Sequence, residues 1–209
     1  PKYRAVTQSI FTDLLIKGEI IEDLRPNLYD PVEGTTIADA EVKRITRKTK
    51  LAHIRWTLED GNEIIISTTR PELICACGVI LVHPEDNRYR DLIGRNVSLP
   101  INVEGRSDKV KILSHPSVKM DFGSGVLMVC SYGDQNDVSV FRELKLEPFQ
   151  AIDLEGRMTE VAGPLEGMLV LDARLAALDM LSADGRLEGL EDREQEIPVS
   201  ERGENPIAV

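Results

Sequence analysis

The sequence has too few cysteines, and too little continuous apolar sequence, for several common classes of protein. Three cysteines, an odd number, make no disulfide framework, so a reducing cytoplasm is the expected location. No apolar run reaches the roughly 18 residues of a membrane span, and we expect no membrane partner. The chain opens with Pro1-Lys2-Tyr3-Arg4, without an initiator methionine or a signal peptide, which suggests a fragment of a longer protein.

Positive charge is also scarce. Lysine and arginine total 25 against 36 aspartates and glutamates, and the net charge is -11. Because phosphate neutralisation needs clustered cations, this balance argues against a general nucleic-acid binder, and any nucleic acid must be contacted locally. The charges are uneven: residues 184–204 are acidic, whereas a basic run comprises Lys43, Arg44, Arg47, Lys48 and Lys50. We interpret both stretches as solvated faces.

Motifs for three kinds of chemistry are missing. The sequence has no G-x-x-x-x-G-K-[ST] loop, which excludes a P-loop NTPase. Its histidines, His53, His83 and His115, do not stand beside a serine or cysteine in a recognisable nucleophile motif. The spacing of Cys75 and Cys77 is not that of a zinc knuckle, and their apolar surroundings predict buried thiols.

Local patterns predict a mixed α/β fold, with a small barrel-like sheet and peripheral short helices. Strands and helices interleave irregularly, which favours this architecture over a doubly wound parallel sheet. The predicted strands are 51–58, 63–67, 78–82, 97–99, 110–113 and 126–130; the predicted helices are 6–17, 70–77, 84–92, 134–144 and 171–182. We divide the chain into an N-terminal helix and linker (1–50), a core domain (51–185) and C-terminal linker strands (186–209).

A hydroxyl-rich strand end, Ser67-Thr68-Thr69-Arg70-Pro71-Glu72, is the first candidate site. Its Thr69 and Glu72 have the spacing of a capping box and predict a helix start. The N–H groups of a first helical turn attract anions, so Thr68 and Thr69 could hold an ester carbonyl or a ribose, and Arg70 a phosphate. The alternative is that Thr69 only caps the helix.

A glycine-bracketed turn and an apolar strand that leads to two carboxylates form the second candidate, residues 123–137. Asp134 and Asp137 are three residues apart at a predicted helix start, where such positions share one side. The two carboxylates could receive an ammonium group and a hydroxyl of one ligand. Helix capping explains the pair equally well, because aspartates at the N-cap and N3 positions interact favourably with the helix dipole.

Several stretches carry a family likeness. Thr68-Thr69-Arg70-Pro71-Glu72 resembles the Thr-Thr-Arg-Pro-Glu signature of the insertion that edits in valyl-, isoleucyl- and leucyl-tRNA synthetases, which are class I enzymes. Asp121-Phe122-Gly123-Ser124-Gly125 resembles their Glu-Phe-Gly-Thr-Gly turn. Residues 130–137 are similar to the archaeal-type valyl form, Cys-Thr-Tyr-Gly-Asp-x-x-Asp, whereas isoleucyl and leucyl enzymes read differently there. Residues 82–94 and 151–168 also agree with the valyl pattern, so the likeness spans nearly the whole chain.

This resemblance implies the editing-domain fold and a hydrolase that cleaves the ester joining threonine to the valine tRNA. By the same resemblance, Asp137 binds the α-ammonium of the substrate and Asp134 the γ-hydroxyl of threonine. Thr68, Thr69 and Arg70 hold the terminal adenosine and the ester. A positioned water, helped by a ribose hydroxyl of the substrate, takes the place of a protein nucleophile, so the catalytic set would be Asp137, Thr68 and Thr69.

The resemblance also implies partners. They are the 3′ end of tRNA(Val) carrying threonine and the remainder of the synthetase chain, with the basic run at 43–50 as an additional tRNA contact. The signatures of the synthetic site, His-Ile-Gly-His and Lys-Met-Ser-Lys-Ser, are absent. We therefore expect no cofactor in this fragment, and ATP would serve the synthetic domain of the parent enzyme.

Two departures from the family pattern leave alternatives open. Met128 and Cys130 stand where bacterial valyl members have lysine and threonine; we include Cys130 among the substrate-binding residues and leave Met128 unassigned. Relatives also carry a zinc knuckle, but here its halves read Asp30-Pro31-Val32-Glu33 and Ser200-Glu201-Arg202-Gly203, so we expect no structural zinc. The alternatives are an isoleucyl-type domain that removes valine from tRNA(Ile) and an inactive module that docks the tRNA end.

Overall fold

The computed structural model describes residues 2–22, 26–101, 103 and 107–207. Within these ranges, three helices and nine strands are connected by loops that contain short 3-10 turns. In chain order the elements are α1 (Lys2–Ile16), β1 (Tyr29–Asp30), β2 (Thr35–Thr36), β3 (Val42–Leu58), β4 (Glu63–Thr68), β5 (Cys77–Val82), β6 (Asn96–Ser98), β7 (Lys109–Ser114), β8 (Val126–Cys130), α2 (Gln135–Glu143), α3 (Val170–Ala183) and β9 (Leu187–Ser200).

Seven strands form one curled sheet: six follow the order β4-β3-β6-β7-β5-β8, and β9 pairs with β3 beside this path. Among the pairs of this sheet that the structure describes, only β5 and β7 are parallel. The outermost strands, β4 and β8, pack against each other, so the sheet closes into a half-barrel. Its interior is filled by apolar side chains that alternate along the strands, among them Ile54, Trp56, Ile66, Ile80 and Ile112. The mixed sheet with short helices predicted from the sequence is confirmed.

The two charged stretches of the sequence are partners in one antiparallel ribbon. β9 pairs with β3 from Val42 opposite Ser200 to Ile54 opposite Leu187. Lys50 Nζ lies 2.5 Å from Asp192 Oδ1, and Lys43 Nζ lies 2.8 Å from Glu204 Oε1 just beyond the strand. Two lysines of the basic run are therefore paired with acidic residues of the other stretch on an exposed surface. The additional tRNA contact of the basic run stays a prediction, and these ion pairs weaken its physical basis.

Helices cover parts of the sheet to different extents. α3 buries Ala173, Ala177 and Leu181 against the half-barrel, and its bounds agree with the predicted helix at 171–182. α2 packs Phe141 over the other side of β5 and β8, where the ring lies so close to Gly78 that an added Cβ would be 2.5 Å from it. α1 ends shortly before Gly18 as expected, but none of its residues is buried.

Two predicted helices differ from the structure. The helix predicted at 84–92 is wrong: only Arg90–Leu92 is helical, as a single 3-10 turn. The helix predicted at 70–77 is a 3-10 helix, Pro71–Ala76, and the carboxylate of Glu72 is buried in the interior instead of bonding back to the residue before the helix.

In the part of the chain that the structure describes, no helix combines the length and apolarity that crossing a membrane requires. The three-segment division of the chain stays a proposal; β3 runs through the boundary at residue 50.

Candidate active site

The hydroxyl-rich corner at the end of β4 is held by its own side chains. Thr68 Oγ1 accepts the backbone N–H of Arg70 at 3.0 Å, which turns the chain sharply out of the strand. The capping-box prediction is wrong: the 3-10 turn starts at Pro71 with Arg70 as its N-cap, and no side chain caps it. Thr68, Thr69 and Arg70 are all half-buried, so this corner is partly open to solvent.

The second candidate segment lies at the corresponding end of β8. Asp134 is the N-cap of α2, and its Oδ1 accepts the backbone N–H of Asp137 at 2.9 Å. Capping is therefore one role of Asp134. Its other oxygen, Oδ2, gives the same carboxylate a second acceptor, so binding a ligand hydroxyl is compatible with the cap.

Asp137 has unusual surroundings for a carboxylate. Its Oδ2 accepts the backbone N–H of Cys130 at 3.1 Å. Burial and the neighbouring charge of Asp134 raise the pKa of Asp137 to about 7, against the smaller opposing effects of the Cys130 hydrogen bond and the Arg70 cation. Gly133 makes this position possible, because a Cβ at residue 133 would lie 2.6 Å from Asp137 Oδ2.

Arg70 joins the two segments. Its Nη1 donates to the backbone carbonyl of Gly133 at 2.7 Å, and its Nε donates to Glu72 Oε1 at 3.3 Å. The two motifs that the sequence singled out are thus neighbours in space. The guanidinium that we expected to meet a phosphate is already engaged with protein groups. The sequence did not indicate that Gly133 accepts a hydrogen bond from Arg70; it indicated only that Gly133 lies in the motif that contains Asp134 and Asp137.

The side chains of Met128 and Cys130 point into the protein interior. Both belong to the apolar cluster of the half-barrel. The pKa of the Cys130 thiol is raised well above its ordinary value by the adjacent Cys77 and by burial. The predicted buried thiols at Cys75 and Cys77 are confirmed. Cys130 contacts the site through its backbone N–H, which donates to Asp137. Its role in substrate binding stays a prediction.

Two histidines contact a serine, which the sequence did not reveal: His115 contacts Ser117, and the half-buried His53 contacts Ser67. His53 Nδ1 lies 2.8 Å from Ser67 Oγ across the β3–β4 pair, and His53 Nε2 lies 3.6 Å from Glu191 Oε2. Ser67 is buried, its oxygen accepts the backbone N–H of Ser124, and a Cβ at Gly123 would lie 2.7 Å from its Cβ. Since neighbouring residues of a strand face opposite sides, Ser67 faces away from the Thr68 side. We interpret this group as a tie between the strands and the loop at 121–125.

A second polar cluster is centred on Asp30, at the Ser200 end of the ribbon. Asp30 is fully buried, and its carboxylate accepts four hydrogen bonds: Oδ1 from the N–H groups of Val32 (2.9 Å) and Glu33 (3.1 Å), and Oδ2 from Ser200 Oγ (2.7 Å) and Asn205 Nδ2 (3.2 Å). Burial alone would raise the pKa of Asp30, but these hydrogen bonds, led by that from Ser200, lower it below its ordinary value.

The Asp30 cluster occupies the place of the family's zinc knuckle. Asp30, Glu33, Ser200 and Gly203 stand at the four cysteine positions, and a Cβ at Gly203 would lie 3.4 Å from Glu33 Oε1, so the two halves do converge. These residues do not fit zinc, which prefers thiolate and imidazole, and both oxygens of Asp30 are already engaged. Within the described ranges, no group of three or more potential ligands is arranged to hold a metal.

Comparison with known proteins identifies relatives of one kind. The chain is 40% identical over its whole length to a valine--tRNA ligase of Aeropyrum pernix and covers 25% of that protein. It is 40% identical to that of Nanoarchaeum equitans, covering 27%, and 38% identical to that of Thermoplasma acidophilum, covering 26%. The chain thus spans about a quarter of the length of these curated relatives. No protein-family model matches it.

Proposed function

This chain is homologous over its whole length to an internal domain of archaeal valine--tRNA ligases, and from that relationship we propose that it hydrolyses the ester of tRNA(Val) wrongly charged with threonine. Threonine and valine have nearly the same shape, so a hydrophobic synthetic pocket rejects threonine by only about a hundredfold. A second, hydrolytic site that hydrogen-bonds the threonine hydroxyl supplies the missing discrimination. The parent enzyme's use of ATP belongs to another part of that protein.

The observation that carries the proposal is the carboxylate of Asp137. It is half-buried, accepts one backbone N–H and stands beside a second carboxylate, and its pKa is raised to about 7. An α-ammonium brought within hydrogen-bond distance would favour the ionised form and lower that pKa. Asp137 is therefore suited to hold the amino group that every aminoacyl ester presents.

Asp134 supplies the discrimination between threonine and valine. While Oδ1 caps α2, Oδ2 can accept the γ-hydroxyl of threonine. Valine would present a methyl group to the same carboxylate and leave it without that hydrogen bond, which costs about 1–3 kcal/mol.

Thr68, Thr69 and Arg70 act on the tRNA side of the ester. The hydroxyls of Thr68 and Thr69 are suited to the ester oxygen and the terminal ribose, because both side chains lie at the half-buried corner where β4 ends. Arg70 orients the loop of the two aspartates through Gly133. The attacking group is a water held between these elements and assisted by a ribose hydroxyl of the substrate.

The test is deacylation of three purified substrates by this chain. We expect threonyl-tRNA(Val) to be hydrolysed at least about tenfold faster than valyl-tRNA(Val), the ratio that one such hydrogen bond provides. The control is Asp137→Asn, which keeps the shape of the side chain and should lower kcat/KM for threonyl-tRNA(Val) by roughly a thousandfold.

The other outcomes select the alternatives. Faster hydrolysis of valyl-tRNA(Ile) than of threonyl-tRNA(Val) would identify an isoleucyl-type editing domain. Binding of the tRNA end without hydrolysis of any ester, by a folded chain, would identify a docking module. Either result would overturn the proposal, and the folded state is checked by thermal melting in the same buffer.

A further inference from the structure

A buried ion network lies beneath the candidate active site. Glu72 is fully buried, and Arg174 of α3 donates to both of its carboxylate oxygens, from Nε to Oε2 at 2.9 Å and from Nη2 to Oε1 at 2.7 Å. Arg70 approaches the same carboxylate, with Nε 3.3 Å from Oε1. Two guanidinium groups thus share one buried carboxylate, and the two-pronged contact of Arg174 is the shorter and more directional of the two.

This network leads from α3 to the two aspartates. The far side of the Arg70 guanidinium donates to the carbonyl of Gly133. Gly133 directly precedes Asp134, and its Cα lies against Asp137 Oδ2 so closely that a Cβ would be 2.6 Å away. A displacement of Arg70 would therefore break its hydrogen bond to the loop that presents both carboxylates.

We propose that Arg174 is a positioning residue for the deacylation site: by holding Glu72 it fixes Arg70 against the Gly133 carbonyl and so sets the placement of Asp134 and Asp137. The inference rests on the proposed function for its chemical meaning. Arg174 itself contacts none of the groups that would meet substrate. It acts through Glu72 and Arg70, from a helix about 100 residues further along the chain.

The electrostatics give this role a measurable consequence. The groups that act on the charge of Asp137 are Asp134 on its own helix, the N–H of Cys130 on β8 and the Arg70 cation. If Arg174 is removed, Glu72 loses the two-pronged contact that fixes it, and Arg70, which shares this carboxylate, loses the anchor that holds it against Gly133. The guanidinium then leaves Gly133 and Asp137, and the pKa of Asp137 rises further.

The experiment compares four variants of the chain. Arg174→Met removes the cation and keeps much of the side-chain length; Arg174→Lys keeps the charge without the two-pronged geometry. Glu72→Met/Arg174→Met removes both buried charges, a replacement that is often neutral for stability. Arg157→Met is the matched control, since Arg157 donates to the Gly167 carbonyl just before α3 and does not touch Glu72. The readouts are kcat and KM for threonyl-tRNA(Val), the melting temperature, and the pKa of Asp137 from carbon-13 NMR.

We expect Arg174→Met to lower kcat about tenfold or more with little change in KM, as for a misplaced catalytic constellation. The pKa of Asp137 should rise, Arg174→Lys should recover part of kcat, and Arg157→Met should resemble the wild type. The double variant decides the matter: its melting temperature should recover while kcat stays low, because Arg70 has lost its anchor.

Recovery of kcat together with stability in the double variant would overturn the inference and leave Arg174 a purely structural partner of Glu72. An unchanged pKa of Asp137 in folded Arg174→Met would overturn it as well. If the wild-type chain hydrolyses no ester, the proposed function fails, whereas the NMR comparison still decides whether Arg174 controls the surroundings of Asp137.

Discussion

Asp30 and Asp137 are both shielded from solvent, but their carboxylates differ in how many hydrogen bonds they accept and in the direction of their pKa shift. Asp30 accepts four hydrogen bonds from two segments of the chain, and its pKa is lowered. Asp137 accepts one backbone N–H beside another carboxylate, and its pKa is raised to about 7. Burial opposes the charge of both residues, so the number and sign of their neighbours decide the difference.

The contrast separates a structural carboxylate from a binding one. A carboxylate has about four acceptor positions. Asp30 fills them with protein donors and joins the β1–β2 hairpin to the turn after β9. Asp137 leaves most of that capacity for a ligand, at a cost in stability. A carboxylate whose acceptor positions are filled by the protein should therefore contribute mainly to stability. One with acceptor positions left for a ligand should contribute mainly to activity, and substitutions of Asp30 and Asp137 test the two expectations.

The largest effect should come from Asp137→Asn. The amide keeps an oxygen for the Cys130 N–H but cannot attract the substrate ammonium as a charge. Truncating one partner of a buried charged pair costs about 2–5 kcal/mol, so kcat/KM for threonyl-tRNA(Val) should fall by roughly a thousandfold. Initial rates of deacylation measure it.

The matched control for that substitution is Asp172→Asn, which neutralises an exposed aspartate in the first turn of α3. It should retain near wild-type hydrolysis. Equal activity of the wild type and Asp137→Asn would place Asp137 with Asp30 as a structural residue and remove the contrast.

The next largest effect should come from Asp30→Ala, and it should act on stability alone. The substitution leaves Ser200, Asn205 and two N–H groups without their acceptor, which costs about 3 kcal/mol of unfolding free energy. Because the folded pKa of Asp30 is lowered, its contribution is fully present above the unfolded pKa of about 3.9 and is lost as the pH falls through the folded value. Denaturant titrations near pH 7 and pH 3 measure both.

Asp39→Ala is the control for Asp30, since Asp39 is an exposed aspartate of the neighbouring 3-10 turn. It should change the unfolding free energy by less than about 0.5 kcal/mol. A deacylation rate that falls in Asp30→Ala while the protein is still folded would contradict the division of roles.

Local features of the fold could be predicted because neighbouring residues determine them. The Asp134 cap, the helix at 171–182 and the hairpin near 58–63 depend on contacts between residues close in sequence. The predicted capping box at Thr69 failed for the opposite reason. Glu72 has a stronger partner in Arg174, 102 residues away, and no local pattern announces such a pair.

The sequence singled out the two motifs, but it did not indicate how their residues are connected. The two motifs named Thr68, Asp134 and Asp137, and the structure brings their segments together through Arg70 and Gly133. The pairing of the basic run with the acidic run, like the four bonds of Asp30, follows from long-range register. Such contacts depend on how the whole half-barrel closes, which composition and spacing do not determine.

A smaller effect should separate the two roles of Asp134. Asp134→Ala removes the acceptor proposed for the threonine hydroxyl, so the threonyl-to-valyl hydrolysis ratio should fall about tenfold or more. This corresponds to a loss of about 1.5–3 kcal/mol of transition-state stabilisation for the threonyl ester. Loss of the cap should cost about 1 kcal/mol of stability in addition. Asp134→Ser keeps an acceptor for the cap and is the control for stability. If Asp134→Ala melts lower but keeps the wild-type ratio, Asp134 is only a cap.

The unfolding free energy of Asp137→Asn should differ from that of the wild type by about 1–2 kcal/mol, and this difference should depend on pH. The folded pKa of about 7 exceeds the unfolded value, so the wild type loses stability as the pH rises from about 4 through 7. The asparagine variant lacks this loss and should be more stable than the wild type at about pH 8, with the difference reduced for partial exposure. Melting temperatures at about pH 4 and pH 8 measure it. A wild type that is the more stable form at pH 8 would show that Asp137 is well satisfied.

The smallest expected effect is that of a metal chelator, which should leave the melting temperature unchanged. A structural zinc contributes folding free energy directly, so its removal would destabilise the ribbon end strongly. Here Asp30 joins the hairpin and the turn through hydrogen bonds from Ser200, Asn205 and two N–H groups, and its oxygens have no acceptor capacity left for a cation. Elemental analysis after dialysis should accordingly find far less than one zinc per chain. A stoichiometric zinc, lost with a fall in melting temperature on chelation, would mean that Asp30 is a metal ligand and that its saturation by protein donors is not what distinguishes it from Asp137.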